Sequence, residues 1–278
     1  MKRLIRLINI LFFFIGFLSG FPQSSAARSL VFSTHPFANP VAIYQTFQPL
    51  LDYLGKETGT TISIKIAPSY LAHVKMVGGG RADLAFVGPS PYVRIHDKYG
   101  GIELLARFRL RDDIGDKVVI FCRADSPLAA INDLSGKTFA FGDHQSFGSH
   151  FLPRWLLHNA GVPAKDLLAY DFVKSHDNVI LSVLHGDFAA GGARLDVFGK
   201  YGDRSLRVLA GPFLTPPHAL VCRTDLAPEL KESLRRSLLQ LKDRTILKRI
   251  NPDMERFDPV IDRDFDQARQ VMNFIEAR

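Results

Sequence analysis

Apolar and polar positions along the chain change period repeatedly, and the changes set out its elements. SLVFST (29–34) is an apolar run of strand length. The next segment repeats apolar residues at helical spacing, so 40–54 is predicted as a helix with Ile43, Phe47, Leu50, Leu51 and Leu54 on one face. TISIKIAP (61–68) alternates and reads as a strand. SYLAHVKMVGGG (69–80) reads as a short helix stopped by glycines, ADLAFVG (82–88) as a buried strand, and 90–98 as a helix. After residue 100 the pattern restarts. Strands at 101–110 and 117–126 flank the charged turn RDDIGD. A strand–loop–helix unit follows at 137–160, then a second at 170–186 and a strand near 188–192. Strands at 206–211 and 218–225 precede helices 228–246 and 263–277. Alternation of short strands and helices predicts α/β architecture with mainly parallel sheets. Its restart predicts two lobes with a ligand cleft between them, at the carboxyl ends of the strands.

Several helix starts carry more than structure requires. In KTFAFGDHQSFGSHFLPRWLL (137–157) a buried strand runs through a polar loop, Gly142–Ser149, into a helix. The first N–H groups of a helix have no intrahelical acceptor, and the helix dipole places positive potential there, so such a junction suits an anion. Ser146 and Ser149 add two hydroxyls spaced to face one small ligand. AFVGPSPY (85–92) and KSHDNV (174–179) repeat the construction, the second with Ser175 as N-cap and His176 in the first turn. Asn39-Pro40 opens the first helix. Four such starts imply one shared oxyanion pocket. Serines also cap helices without any ligand, and Tyr44 and Tyr92 also read as half-buried aromatics. Thr34 ends the first strand and Arg194 follows a later one, which makes them secondary candidates.

At 278 residues, with 46% hydrophobic and 23% charged positions, the chain has ample core. Lys2, Arg3 and Arg6, the apolar run 10–21 and the small residues that follow read as a signal peptide, residues 1–26, with export to the periplasm. The formal charge is +7, and removing those three cations leaves +4. The remaining basic residues, among them Lys231, Arg235 and Arg236, lie amid acids on a helix face, which argues against a nucleic-acid partner. The nine histidines and two cysteines show neither H-x-x-x-H nor C-x-x-C spacing, so neither metal nor cofactor is expected. Cys122 and Cys222 allow one disulfide, with two buried thiols in neighbouring strands as the favoured reading.

In order and spacing, AIYQTFQPLLDYL (42–54), RADLAFVGPSPYV (81–93), CRADSPLAAINDLSGKTFAFGD (122–143), QSFGSHFLP (145–153), KSHDNVILSVLHGD (174–187) and CRTDLAPELKESL (222–234) resemble the substrate-binding proteins of phosphate, phosphite and phosphonate ABC transporters. The resemblance covers nearly the whole chain after the leader. It implies the type II periplasmic binding-protein fold, with lobe 1 at 27–117, lobe 2 at 118–225, and residues 226–278 packing back on lobe 1. It implies a non-catalytic, monomeric receptor that passes a small phosphorus oxyanion to an inner-membrane permease. It places Tyr44, Tyr92, Ser146, Phe147, Gly148, Ser149 and His176 at the ligand. Two departures matter. Phe147 stands where the family loop often has a hydroxyl. HGDFAAGGARLD (185–196) has Ala189 and Ala190 where many members carry an acid, which disfavours an ammonium-bearing ligand. A sensor feeding a membrane kinase, or a receptor for another small anion such as a sulfonate, keeps the same fold. A hydrolase built on Ser146 or Ser149 with His176 lacks the G-x-S-x-G elbow.

Overall fold

The computed structural model describes residues 28–111, 116–201 and 205–278, so the expected leader lies outside the described residues. The chain opens with β1 (Arg28–Thr34), α1 (Pro40–Thr58), β2 (Thr60–Ile66), α2 (Tyr70–Gly78), β3 (Leu84–Val87), α3 (Pro89–Tyr99) and β4 (Ile102–Leu110). Asn39 caps α1 by accepting the Ala42 N–H at 2.9 Å, and Pro40 holds the first helical position. The expected apolar stripe, Ile43 to Leu54, is buried. Gly59 ends the helix in the left-handed region (φ +66°), which glycine adopts without steric cost.

The middle of the chain holds β5 (Lys117–Arg123), β6 (Thr138–Phe141), a π-helical turn (Phe147–Phe151) leading into α4 (Leu152–Asn159), β7 (Ala169–Phe172), α5 (His176–Leu184), β8 (Ala190–Arg194), α6 (Leu195–Gly199) and β9 (Leu206–Leu214). The chain then returns through β10 (Ala219–Arg223), α7 (Pro228–Gln240), α8 (Arg244–Ile250), β11 (Met254–Asp258) and α9 (Asp266–Glu276).

The strands form two sheets, ordered β11-β4-β10-β3-β1-β2 and β7-β6-β8-β5-β9. Both are mixed. β1 is parallel to β2 and β3, and β6 to β7 and β8, but β10, β4, β11, β5 and β9 run antiparallel to their neighbours. This corrects the expectation of mainly parallel sheets. A strand that crosses over from the other lobe, without a covering helix, enters in the opposite direction. The lobe boundary moves as well. β10, assigned from sequence to the second lobe, bonds between β3 and β4 in the first sheet.

At the C-terminus, the single helix expected at 228–246 is two helices. Asp243 is a strong N-cap, accepting N–H groups of Thr245 and Ile246, and it restarts the helix as α8. β11 escapes the sequence pattern because only Met254 and Phe257 of its five residues are buried. The α7 carbonyl of Ser237 accepts the Tyr53 hydroxyl of α1, tying this segment to the first lobe. α9 instead packs against α3 of the first lobe and against α4 and the π turn of the second.

Cys122 and Cys222 are both buried free thiols, and they sit in different sheets rather than in neighbouring strands. The melting temperature is therefore expected to be unchanged by dithiothreitol; a midpoint that falls in reductant would contradict the assignment. Gly192 in β8 leaves no room for a side chain, since an added Cβ would lie 2.5 Å from the rigid Pro153 ring. Gly192→Ala is expected to cost about 1–3 kcal/mol by overpacking, read from the urea midpoint.

Candidate ligand-binding site

A cavity of about 950 Å³ lies between the two sheets. Four helix starts reach it, as the sequence pattern implied. Ala42 represents α1, Pro89 and Ser90 represent α3, Ser146 to Gly148 the π turn, and His176 and Asp177 represent α5.

The wall on the second sheet supplies hydrogen-bond donors. Ser146 caps the π turn, its oxygen accepting the Ser149 N–H at 3.2 Å, and its hydroxyl shares a side-chain hydrogen bond with Tyr70 of the facing wall. Phe147 and Gly148 are the first residues of that turn, so their N–H groups have no carbonyl inside it to bond. His176 opens α5, with Ser175 accepting the Asn178 N–H. The Arg194 N–H donates to His176 Nδ1 at 3.2 Å. An imidazole that accepts at Nδ1 carries its proton on Nε2, so His176 faces a ligand as a donor, not a base. Burial, then the nearby Arg194 charge, lowers its pKa from 6.5 to about 4, so the ring is neutral.

Arg194 lies deep in this wall, and its charge is already balanced. It grips Asp196 with two bonds, 2.9 and 2.6 Å, and reaches Asp116 at 3.3 Å. Burial works against the charges of all three. The mutual attraction outweighs it, holding the Arg194 pKa above its usual range and both carboxyls below theirs. Asp116 also hydrogen-bonds His218 Nδ1. Contacts that cross between the lobes at the cavity include Ser90 Oγ to the Gln145 carbonyl at 2.5 Å, Asn251 Nδ2 to Asp196 at 3.3 Å, and the Tyr70–Ser146 hydrogen bond.

The wall on the first sheet is aromatic. Phe86 lies at its centre, stacked with His218 (5.1 Å, 8°), Phe108 (5.3 Å, 21°) and His35 (5.6 Å, 17°). Tyr70, the first residue of α2, lies 4.2 Å from His35 and lines the cavity. His35 Nδ1 is buried without a hydrogen-bond partner, so no protein group fixes its tautomer. Burial, then the neighbouring His73, depresses its pKa well below 6.5.

Of the residues singled out from sequence, Ser146, Phe147, Gly148, His176 and Arg194 line the cavity. Four do not. Tyr44 is 49% exposed on α1, one position past the buried Ile43, so its direction is outward. Tyr92 lies a turn into α3 and faces α9; its hydroxyl donates to Asp262 at 2.8 Å and its ring packs 4.0 Å from Phe265. Ser149 turns back against Gly142, where an added Cβ would fall 2.1 Å from the serine oxygen, and that oxygen is buried without a partner. Thr34 is fully buried and bonds the His35 carbonyl, because strand alternation sends its neighbour His35 to the cavity instead. His35, Tyr70, Asp116 and His218 went unselected. The strand-end rule reaches His35, whereas Asp116 and His218 meet only after the chain crosses twice between lobes.

Residues 32–265 match the family described as the ABC transporter phosphonate periplasmic substrate-binding protein. The phosphate-import protein PhnD of Mycolicibacterium smegmatis is 26% identical over 185 residues, 61% of this chain and 57% of its own length. Among solved structures, PhnD1 from Prochlorococcus marinus in complex with methylphosphonate superposes with a TM-score of 0.79 at 20% identity, covering 90% of this chain and 98% of that one. A binding-protein component of an ABC phosphonate transporter from Pseudomonas aeruginosa gives 0.77 at 19% identity, with 89% and 86% covered. At these identities the likeness to the two structures is one of fold.

The depressed His176 pKa has a thermodynamic consequence. The unfolded chain takes up a proton near pH 6.5, the folded one only near 4, so this residue's contribution is complete above 6.5 and is lost as pH falls toward 4. The melting temperature is expected to fall between about pH 7 and pH 5, and His176→Gln to remove part of that fall. His73 and His150, each lowered to about 4, and His35, lowered well below 6.5, all mainly by burial, contribute in the same direction. A melting temperature that stays flat over this range in the parent protein would contradict the assignment.

Proposed function

The chain belongs to the periplasmic substrate-binding proteins of phosphonate ABC transporters, and on that premise we propose that it binds a phosphorus oxyanion and delivers it to a membrane permease. In this reading the protein is exported through a leader at residues 1–26, works as a monomer and performs no chemistry on its ligand. The observation that carries the proposal is the donor set. The Ser146 hydroxyl, the Phe147 and Gly148 N–H groups and His176 Nε2–H stand together at two helix starts. An anion held this way is met by oriented neutral dipoles rather than by a competing free cation. Arg194, kept balanced by two carboxylates, adds orientation more than net charge.

The same bonds support a non-catalytic reading. His176 is a donor at Nε2 and is occupied at Nδ1, so it cannot take a proton from Ser146 without breaking the Arg194 contact. Two relatives carry phosphorus ligands in their names. One is named for phosphate import, and another was solved with methylphosphonate. Closure of two lobes around a ligand, driven by binding energy, needs nothing further.

Titration calorimetry with phosphate, phosphite, methylphosphonate and sulfate tests the reading. At least one phosphorus oxyanion is expected to bind without turnover, and Ser146→Ala and His176→Ala to weaken that binding by about 1–3 kcal/mol each. If no phosphorus oxyanion gives heat or a thermal shift, the receptor assignment fails. If both variants bind as tightly as the parent protein, the oxyanion sits elsewhere.

A further inference from the structure

On the receptor reading above, we infer that the ligand is an organophosphonate with a bulky, uncharged substituent, of the aryl or longer alkyl class, rather than a bare oxyanion or an aminoalkyl phosphonate. The first observation is size. The cavity holds about 950 Å³, near the top of the range of roughly 300–1,000 Å³ seen for sites that enclose drug-sized molecules. A lone tetrahedral oxyanion occupies only the corner where Ser146, Gly148 and His176 meet.

The second observation is the opposite wall. His35, Phe37, Phe86, Phe108 and His218 form a continuous aromatic surface, with Phe37 set edge-on to Phe86 at 5.7 Å and 61°. Phe86 is buried beneath these rings, and the half-buried Phe37 and Phe108 carry the apolar surface toward the cavity, where a ring or an alkyl chain can rest. Phe147, whose side chain is buried in the core beside the donor corner, brings no side-chain polar group to the head group there.

The third observation concerns charge. An ammonium group in the cavity would need a carboxylate without a partner. Asp116 and Asp196 are both bound to Arg194, Asp177 accepts the Tyr201 hydroxyl at 2.8 Å, and Asp253 pairs with Arg111 at 3.8 Å. Three of the four acidic residues among the described lining are thus paired with arginines, and Asp177 is held by a neutral hydroxyl. An amine would have to displace an arginine or compete for Asp177 at one edge, whereas a propyl or phenyl group needs no carboxylate.

Calorimetric titration of the parent protein with methyl-, n-propyl-, 2-aminoethyl- and phenylphosphonate separates the cases. Propyl- and phenylphosphonate are expected to bind about tenfold or more tighter than methylphosphonate. 2-Aminoethylphosphonate, which matches the propyl compound in length, is expected to bind more weakly than it. Phe37→Leu, in a loop rather than a strand, should narrow the phenyl-to-methyl ratio, with its melting temperature recorded alongside. Equal affinities across the series, or preference for the aminoethyl compound, would overturn the inference and leave the receptor reading standing. Silence from every phosphonate and phosphate would remove the receptor reading, and the inference with it.

Discussion

The ion cluster of Arg194 with Asp116 and Asp196 is the constraint around which the cleft is organised. A buried guanidinium without partners would cost several kcal/mol (roughly, by desolvation), so its two carboxylates have to be held in place. Asp196 follows in the same segment and is secured locally. Asp116 belongs to the crossover from β4 to β5, and its carbonyl accepts the Thr215 N–H of the return crossover at 2.9 Å. Its carboxylate also bonds His218, whose ring rests on Phe86. One charge cluster therefore joins both connections between the lobes to the second-lobe wall and to the aromatic floor of the first.

The same residue sets the chemistry of the donor wall. While the Arg194 side chain is held by carboxylates, its main-chain N–H decides which nitrogen of His176 carries the proton. The imidazole is thus a pre-aimed neutral donor, beside the N–H groups of the π turn. Pre-oriented donors bind an anion without paying to reorganise. The opposing aromatic wall then sorts ligands by what is attached to the oxyanion.

Much of this was legible along the chain. The alternation of strands and helices, the caps at Asn39, Ser146 and Ser175, and the gathering of helix starts at one cavity depend on residues within a few positions of one another. Such effects survive any change in distant context, because a cap bonds its own first turn. Ser146, Phe147, Gly148 and His176, which line the cavity, are accordingly legible at helix starts along the chain.

Other features depend on contacts between remote segments, and local pattern carries no trace of them. Tyr92 is a core anchor because Asp262, 170 residues away, accepts its hydroxyl. Ser149 and Ser146 look equivalent in the loop, yet the sheet beneath claims one of them at Gly142 and leaves the other to the cavity. Asp116 and His218 stand 102 positions apart and become partners only when two crossovers run side by side. The sequence by itself determined the elements and where their helices start, with the unpaired N–H groups those starts present, because these are short-range properties of the backbone. The direction of each side chain, the mixed strand order and the charge balance of the cleft were decided by the tertiary structure, because burial and ion pairing depend on which distant surfaces meet.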